Sequence, residues 1–219
     1  VRKVIGLSTD KACNPVNLYG ATKLCQDKLF VNGNAYVGRR GYPIFSVVRY
    51  GNVLGSRGSI IPHWRKILQN GGKAVPITDK RMTRFWITLD QAVHFVLQSF
   101  LIARGGEIFI PKIPSMKIVD LADAVAPGVP HEIMGIREGE KLHELMICQE
   151  DARHSLELKD RYVILPETQS RDQEFVRRFL AGREGKSLPE GFSYTSDTNT
   201  MWLSNEELKI LIQPYLEET

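Results

Sequence analysis

The sequence predicts an α/β fold in which a parallel sheet is accompanied by a smaller α/β lobe. Short apolar runs typical of buried strands alternate along the chain with segments of helical periodicity. After Gly71 the apolar runs become shorter, which indicates a smaller lobe beside the main sheet. The 219 residues, 42% of them hydrophobic, supply enough apolar material for one domain, or for one domain and a small lobe.

The main sheet is predicted from the first 55 residues. Residues 4–7 form an apolar run typical of a parallel strand buried on both faces. Asn17 suits the N-cap of a helix that ends near residue 31, in which Leu18 and Leu29 recur at helical spacing. Residues 44–55 predict a second strand that runs into a glycine-rich turn. Together they give a strand, a helix and a second strand in sequence order.

The remaining elements are shorter, and they become harder to predict toward the end of the chain. Helical segments are expected at residues 60–68, 89–103, 116–125 and 140–146. Short strands are expected in the runs AVPITD, RFWITL and GEIFIPK. We therefore predict domains at residues 1–70 and 71–150, with the helix 89–103 and the strand 106–110 returning to the main sheet, and a polar extension at 151–219.

Composition excludes several classes of protein. The net charge of +4 comes from scattered cations, which favours an anionic small ligand over nucleic acid, and the pairs Arg39 with Arg40 and Arg177 with Arg178 resemble solvated helix ends. Three cysteines without C-x-x-C spacing indicate neither a disulfide framework nor a zinc site, so no metal is predicted. No apolar run reaches the roughly 20 residues of a membrane helix, so we expect a cytoplasmic protein without a membrane partner.

The run STDKACNPVNLYGATK carries the first chemical signal. Tyr19 and Lys23 are four residues apart on a predicted helix, so both can face one ligand. An ammonium beside a phenol lowers the phenol pKa, and such a tyrosine can remove a hydroxyl proton while hydride leaves the same carbon. A surface pair at this spacing is the alternative. The preceding strand favours a site, because Asp10 and Lys11 follow its carboxyl end, where open α/β sheets bind ligands.

Six runs carry a resemblance to a known family. They are STDKACNPVNLYGATKL, VRYGNVLGSRGSIIP, ITDKRMTRFWIT, GGEIFIPKIPSMKI, GIREGEKLHE and YTSDTNTMWLSNEEL. Over almost the whole chain they resemble the extended short-chain dehydrogenase/reductases that act on nucleotide sugars. The pair Asp10 and Lys11 resembles the pair found in the branch of inverting 4,6-dehydratases in pseudaminic acid biosynthesis. Tyr19 differs from the residue at this position in the membrane-bound, retaining relatives.

The resemblance implies a Rossmann-like, doubly wound parallel sheet whose N-terminal strands are absent here, with a UDP-sugar-binding lobe. It implies a lyase that removes water from UDP-N-acetylglucosamine with inversion at C5, giving a UDP-4-keto-6-deoxy-L-arabino-hexosulose. The reaction would proceed through transient oxidation at C4 by NADP, with NAD as the alternative cofactor. Lys11 would take the C5 proton and a protonated Asp10 would donate to the departing C6 hydroxyl. Tyr19 and Lys23 would serve the redox step, with Thr9 beside them in the catalytic set.

The resemblance also implies two sets of binding residues. The cofactor set is Ser8, Tyr19, Lys23, Tyr50, Gly51, Asn52 and Val53. The substrate set is Asn52, Arg84, Arg137 and Glu140. Lys141 is equally well explained as a surface charge. Glu138 stands where the family usually has proline, which affects the shape of the loop around Arg137.

Three functional hypotheses stay open at this point. The first is the inverting dehydratase, acting as a homo-oligomer. The second is another nucleotide-sugar epimerase or dehydratase, and the third is a non-catalytic remnant that binds a nucleotide sugar. The chain opens inside a predicted strand and lacks a glycine-rich dinucleotide fingerprint. We therefore expect a fragment that folds incompletely, binds NADP weakly and is inactive alone.

Overall fold

The computed structural model describes residues 1–38, 41–56 and 58–217, so the pair Arg39 and Arg40 lies outside the described residues. The described strands are β1 (Lys3–Thr9), β2 (Ile44–Tyr50), β3 (Asn52–Val53), β4 (Val75–Ile77), β5 (Thr83–Ile87), β6 (Ile108–Pro111), β7 (Ser115–Lys117), β8 (His131–Ile133), β9 (Leu145–Ile147), β10 (Ser155–Glu157), β11 (Arg161–Ile164), β12 (Lys186–Ser187) and β13 (Tyr194–Thr195). The described α-helices are α1 (Leu18–Gly33), α2 (Ile60–Gln69), α3 (Leu89–Ile102), α4 (Ile118–Val125), α5 (Gln149–Ala152), α6 (Glu167–Ser170), α7 (Gln173–Leu180) and α8 (Asn205–Glu217).

The chain divides into two compact units, each built from three separate segments. The first unit contains Val1–Gly51, Asp90–Lys112 and Leu145–Thr195. The second contains Asn52–Leu89, Ile113–Glu144 and Ser196–Thr219, of which the last two residues are not described. These units differ from the predicted ranges 1–70, 71–150 and 151–219, because the chain passes from one unit to the other several times.

The first unit is built on a mixed six-stranded sheet with the order β1-β2-β6-β11-β10-β12. Strands β1, β2 and β6 are parallel, and Thr9 lies opposite Tyr50 in the register of β1 and β2. Strands β11, β10 and β12 add antiparallel pairs. The parallel half is the sheet that the sequence predicts. The antiparallel half comes from residues beyond 150, whose short strands have no clear period.

Strand β1 is less buried than its apolar sequence suggests. It lies at one edge of the sheet and pairs only with β2 among the described strands. Leu7 is 49% exposed, so the prediction of burial on both faces is wrong for this strand. A strand inside a sheet has a neighbouring strand at both edges, whereas β1 has one neighbour within the described part of the chain. The face of β1 opposite Leu7 is in contact with α1, where Phe30 packs directly on Gly6.

Helix α1 is fixed at both ends by asparagine side chains. The Asn17 side chain accepts a hydrogen bond from the Gly20 N–H at 2.8 Å, which confirms the predicted N-cap. At the other end, Asn34 donates to the Phe45 carbonyl at 2.8 Å and accepts from the Phe45 N–H at 2.9 Å. Between these two points the helix buries Gly20 and Asp27, whereas the predicted stripe that includes Leu18 is exposed.

The second unit surrounds a separate apolar core. Its largest fully buried side chains include Trp64 from α2, Leu121 from α4 and Leu208 from α8. Two small sheets accompany these helices, with the orders β3-β5-β7 and β4-β8. Burial of this apolar surface is the main stabilising contribution to such a unit.

One predicted helix is absent. Residues 140–144 contain no helix, and the following β9 pairs antiparallel with β13. Glu144 is held in this extended segment because its N–H donates to the Ser196 hydroxyl at 2.9 Å. The prediction of a helix at 140–146 was therefore wrong, since a partner more than 50 residues away takes the backbone hydrogen bonds.

The predicted helix ends are otherwise close to those observed. Arg177 and Arg178 lie exposed in the last turn of α7, as the charge pattern predicts. In residues 1–38, 41–56 and 58–217, no helix combines the length and the apolar character required to cross a membrane.

Candidate functional site

A 3-10 turn at the carboxyl end of β1 presents Asp10 and Lys11. The turn covers Asp10–Ala12 and begins at Thr9, whose hydroxyl accepts from the Lys11 N–H at 3.3 Å. The same hydroxyl donates to Asp10 Oδ1 at 2.8 Å. Thr9 therefore fixes both residues of the predicted acid and base pair through its one side chain.

The Asp10 carboxyl is buried and only half satisfied. Asp10 is 0% exposed, and its Oδ1 accepts from Lys11 Nζ at 3.0 Å. Its Oδ2 is buried without a hydrogen-bond partner among the described residues. Buried carboxyl oxygens normally have partners, so an unpaired one indicates a place where a ligand can bind. The two residues do form an ion pair, but its carboxylate is removed from solvent.

Tyr19 and Lys23 occupy the first two turns of α1. Tyr19 is 55% exposed. Lys23 Nζ donates to the Leu7 carbonyl at 2.7 Å and to Gln26 Oε1 at 2.6 Å, which ties the ammonium to the last residues of β1. The geometry brings Lys23 to the end of the strand that carries Asp10, and leaves Tyr19 accessible.

Gly20 allows this helix to lie close to the turn. A Cβ atom at position 20 would run into the backbone oxygen of Lys11 and would come within 2.9 Å of Pro15 Cβ. No larger residue fits here without a shift of the backbone. Sequence analysis did not single out Gly20, although its place between Tyr19 and Lys23 was visible.

The remaining members of the predicted cofactor set in the first unit lie at the ends of β1 and β2. Ser8 is buried, and its hydroxyl has no partner in the part of the chain that the structure describes. Burial, and to a smaller extent the neighbouring Tyr19 phenol, raise the pKa of Tyr50. Gly51 is buried directly after Tyr50. These residues supply polar groups beside Tyr19 that a bound molecule could contact.

Arg49 in β2 carries a buried guanidinium that links several elements of the first unit and that sequence analysis missed. Arg49 donates to Asp27 Oδ2 at 3.0 Å, to Asp151 Oδ2 at 3.2 Å and to the Met146 carbonyl at 2.8 Å. Arg49 therefore joins β2, α1, α5 and β9 through one side chain. The two aspartates are more than 100 residues apart in the sequence, so no local pattern could have revealed the cluster.

Two cysteines lie beside this cluster. Cys13 directly follows the Asp10–Ala12 turn, and Cys148 is the N-cap of α5. Their sulfurs and a carboxylate oxygen of Asp151 all lie within 4.8 Å of one another. The sequence gives no sign of this approach, because the cysteines are far apart along the chain.

The second unit contains a cavity of about 160 Å³ that includes three of the predicted ligand-binding residues. Asn52, Arg84 and Glu140 line it, together with Val53 from the predicted cofactor set. The other lining residues are Ser59, Ile60, Thr78, Met82, Trp86 and Ile118.

Four polar atoms of the residues around this cavity are buried without a partner in the described structure. They are Asn52 Oδ1, Ser59 Oγ, Trp86 Nε1 and Glu140 Oε2. Neither Ser59 nor Trp86 was predicted as a binding residue. Both donors and acceptors are unpaired here, so the cavity suits a ligand with hydroxyl or amide groups.

Arg84 is largely occupied by protein groups. Its guanidinium donates to the Thr83 carbonyl at 2.7 Å and to the Lys141 carbonyl at 3.1 Å. Its Nε lies 3.6 Å from Glu144 Oε1, and the side chain is 14% exposed. This arrangement fixes Arg84 in the cavity wall, where few of its donors remain for a phosphate.

Arg137 and Glu140 approach each other in a loop. Arg137 Nη1 lies 3.9 Å from Glu140 Oε1, and the Arg137 side chain is 67% exposed. Arg137 is not part of the cavity lining described above.

Comparison with known proteins connects these observations. The family model described as polysaccharide biosynthesis protein matches residues 1–166. The chain is 54% identical over 214 residues to a UDP-N-acetylglucosamine 4,6-dehydratase (inverting) of Campylobacter jejuni, covering 97% of this chain and 64% of that protein. It is 38% identical to a UDP-glucose 4-epimerase of Rickettsia canadensis, covering 97% of this chain and 61% of that protein.

A solved structure, the X-ray structure of Pen from Bacillus thuringiensis, matches with a TM-score of 0.82 and 31% identity, over 98% of this chain and 63% of that one. The chain thus spans about 64% of the length of the Campylobacter relative. The matched region contains the Asp10–Ala12 turn, α1 and most of the cavity lining. The chain therefore belongs to the polysaccharide biosynthesis protein family, with the α/β fold of nucleotide-sugar dehydratases and epimerases.

Proposed function

We propose that the protein to which this chain belongs removes water from UDP-N-acetylglucosamine across C5 and C6 and inverts C5, by way of a 4-keto sugar. The observation that carries this proposal is the pair of Asp10 and Lys11 at the end of β1, in which Asp10 Oδ1 of a buried carboxyl lies 3.0 Å from Nζ of a lysine side chain that is 32% exposed. A 4-epimerase needs no acid and base at C5 and C6, whereas a dehydratase does.

The roles follow from what each group can reach and exchange. Tyr19, being exposed, would take the proton of the C4 hydroxyl as that carbon is oxidised. Transfer of a proton from Lys11 Nζ to Asp10, 3.0 Å away, would leave Lys11 as a neutral amine and Asp10 as a carboxylic acid. The ketone at C4 acidifies the C5 hydrogen, and the Lys11 amine would remove it. Asp10 would then give a proton to the departing C6 hydroxyl from its unpaired Oδ2. Thr9 would position both groups through its hydroxyl.

The cofactor is proposed from the residues that could hold it. A bound nicotinamide supplies hydride acceptance at C4 and hydride return at C6. Ser8 offers an unpaired buried hydroxyl, Tyr50 a phenol, and Gly51 a close backbone approach, which fits a flat polar ring at this position. Lys23, whose Nζ is held at the Leu7 carbonyl, would be a further contact of the cofactor. We propose NADP, with NAD as the alternative.

The substrate would be held in part by the cavity of the second unit. A volume of about 160 Å³ is smaller than a whole nucleotide sugar requires, so the cavity would receive one portion of it. The unpaired oxygens of Asn52 and Glu140 suit hydroxyl or amide donors of that portion. Arg137, in the loop beside Glu140, would contact the diphosphate.

The test is the reaction of UDP-N-acetylglucosamine with the full-length gene product in D₂O, followed by NMR. We expect loss of the C6 hydroxyl and one deuterium at C5. Substitution Lys11→Ala should lower kcat by about 10²- to 10⁴-fold, as for removal of a general base. Lys28→Ala, at an exposed position of α1, is the matched control and should leave kcat unchanged.

A 4-epimerase is the second candidate, and the 38% identity to a UDP-glucose 4-epimerase favours it. In that case UDP-N-acetylglucosamine, or UDP-glucose, would change configuration at C4 and keep its C6 hydroxyl. A product that retains C6 oxygen, together with full activity in Lys11→Ala, would contradict the dehydratase proposal.

A further inference from the structure

We propose that Cys13 and Cys148 form an oxidisable dithiol, which a peroxide converts into an intrachain disulfide that ties the Asp10–Ala12 turn to the segment following β9. The proposal concerns a covalent modification of the chain, and it does not depend on the dehydratase reaction.

The two thiols lie close together in the fold. Their sulfurs are within 4.8 Å of each other. Strand β9, which ends one residue before Cys148, packs against the Asp10–Ala12 turn. Both sulfurs therefore sit on backbone segments that are held together, and a short movement brings them to bonding distance.

The environments of the two thiols differ in the way that a disulfide-forming pair requires. Cys13 is 3% exposed, and Cys148 is half-buried. Cys148 Sγ accepts from the Asp151 N–H at 3.4 Å. A hydrogen bond from Cys13 lowers the pKa of Cys148, and the same bond, together with burial, raises the pKa of Cys13. Cys148 is thus the more accessible thiol and the one with the lower pKa, and Cys13 is the buried partner.

A metal ion is the competing explanation, because Asp151 completes a group of three possible ligands. Arg49 argues against it. Its Nη1 donates to Asp151 Oδ2 at 3.2 Å, so a permanent cation already neutralises the carboxylate. A divalent ion in the same place would be repelled by that positive charge, whereas a neutral disulfide would not be.

The oxidation balances with a peroxide as oxidant. The Cys148 thiolate attacks one peroxide oxygen, the O–O bond breaks, and water leaves after protonation, giving a sulfenic acid. The Cys13 sulfur then attacks the Cys148 sulfur, its proton passes to the departing hydroxide, and a second water leaves. Two thiols lose two electrons and two protons in total, and hydrogen peroxide becomes two waters.

The test treats the reduced full-length gene product with hydrogen peroxide under native conditions. We expect a mass lower by two hydrogens, the loss of two free thiols, and a non-reduced peptide map that links Cys13 to Cys148. Cys25, exposed on α1, supplies the matched control: Cys25→Ser should still form the bond. Hydrogen exchange of residues 9–14 should slow on oxidation.

Two single variants keep the test independent of folding defects. In Cys13→Ser, Cys148 should stop at sulfenic acid, which dimedone traps, and in Cys148→Ser no intrachain bond should form. Disulfides that involve Cys25, or loss of two hydrogens in either variant, would overturn the proposal. Stoichiometric binding of zinc that Asp151→Asn abolishes would also overturn it and would assign a metal centre.

Discussion

The Asp10–Ala12 turn of the first unit and the cavity of the second unit differ in how far their polar groups are hydrogen-bonded by the protein itself. In the turn, Thr9 and Lys11 satisfy one oxygen of Asp10 from adjacent positions in the sequence. Around the cavity, four buried polar atoms have no partner within the described residues. The difference indicates that the turn is organised before a ligand arrives, whereas the cavity leaves its hydrogen bonds for the ligand to complete.

The largest expected effect tests how far the organisation of the first unit depends on its buried guanidinium. Substitution Arg49→Met leaves Asp27 buried without its cation, and should lower the free energy of unfolding by about 3–5 kcal/mol. Urea unfolding followed by circular dichroism measures it. Arg153→Met, at an exposed position, should change the free energy by less than about 0.5 kcal/mol. Equal effects of the two variants would show that the ion cluster does not organise the unit.

The next effect tests the close approach of α1 to the turn. Gly20→Ala places a methyl group against the Lys11 backbone oxygen and should lower the free energy of unfolding by about 1–3 kcal/mol. Gly33→Ala is the control in the same helix, since its Cβ would lie 3.4 Å from Phe45 in ordinary contact. That variant should be neutral or stabilising by up to about 1 kcal/mol. Thermal unfolding of both compares them, and a stable Gly20→Ala would remove the steric argument.

The smallest effect separates Trp86 from Trp64, two of the three tryptophans of the second unit. Trp86 Nε1 is unpaired beside the cavity, so Trp86→Phe should change stability by less than about 1 kcal/mol while weakening the binding of UDP in a calorimetric titration. Trp64 Nε1 donates to the Pro76 carbonyl at 2.9 Å, and Trp64→Phe leaves that carbonyl unpaired. The Trp64 variant should lose about 1–3 kcal/mol. If Trp86→Phe is the more destabilised of the two, the cavity is not a binding site.

The same contrast explains what could be predicted from the sequence. The end of β1, the turn and the first part of α1 lie within residues 8–23, so acid, base, N-cap and Tyr19 with Lys23 were all visible in one run. The cavity takes residues from positions 52 to 140, and only resemblance to a family identified Asn52, Arg84 and Glu140. Ser59 was missed because a serine directly before a helix is typical of an N-cap. In the structure, its side chain makes no capping hydrogen bond to α2.

The fold shows the same division between local and distant information. The parallel strands β1 and β2 and the helix between them follow local apolar patterns, and they were predicted. The antiparallel strands β10 to β12 are two to four residues long and pair with segments that local sequence does not specify. The Arg49 cluster and the approach of Cys13 to Cys148 also depend on long-range contacts. Strand β9 brings residues 146–151 to Arg49 and to the residue that follows the Asp10–Ala12 turn.

The asparagine anchors at the two ends of α1 limit how this region can change in length. Asn17 fixes the first turn, and Asn34 fixes the end of the helix to Phe45. One residue inserted between them would rotate one end by about 100° relative to the other, so either the Tyr19 face or the Phe45 contact would be lost. We therefore expect an insertion or deletion within the helix that carries the proposed redox pair to break one of these two anchors.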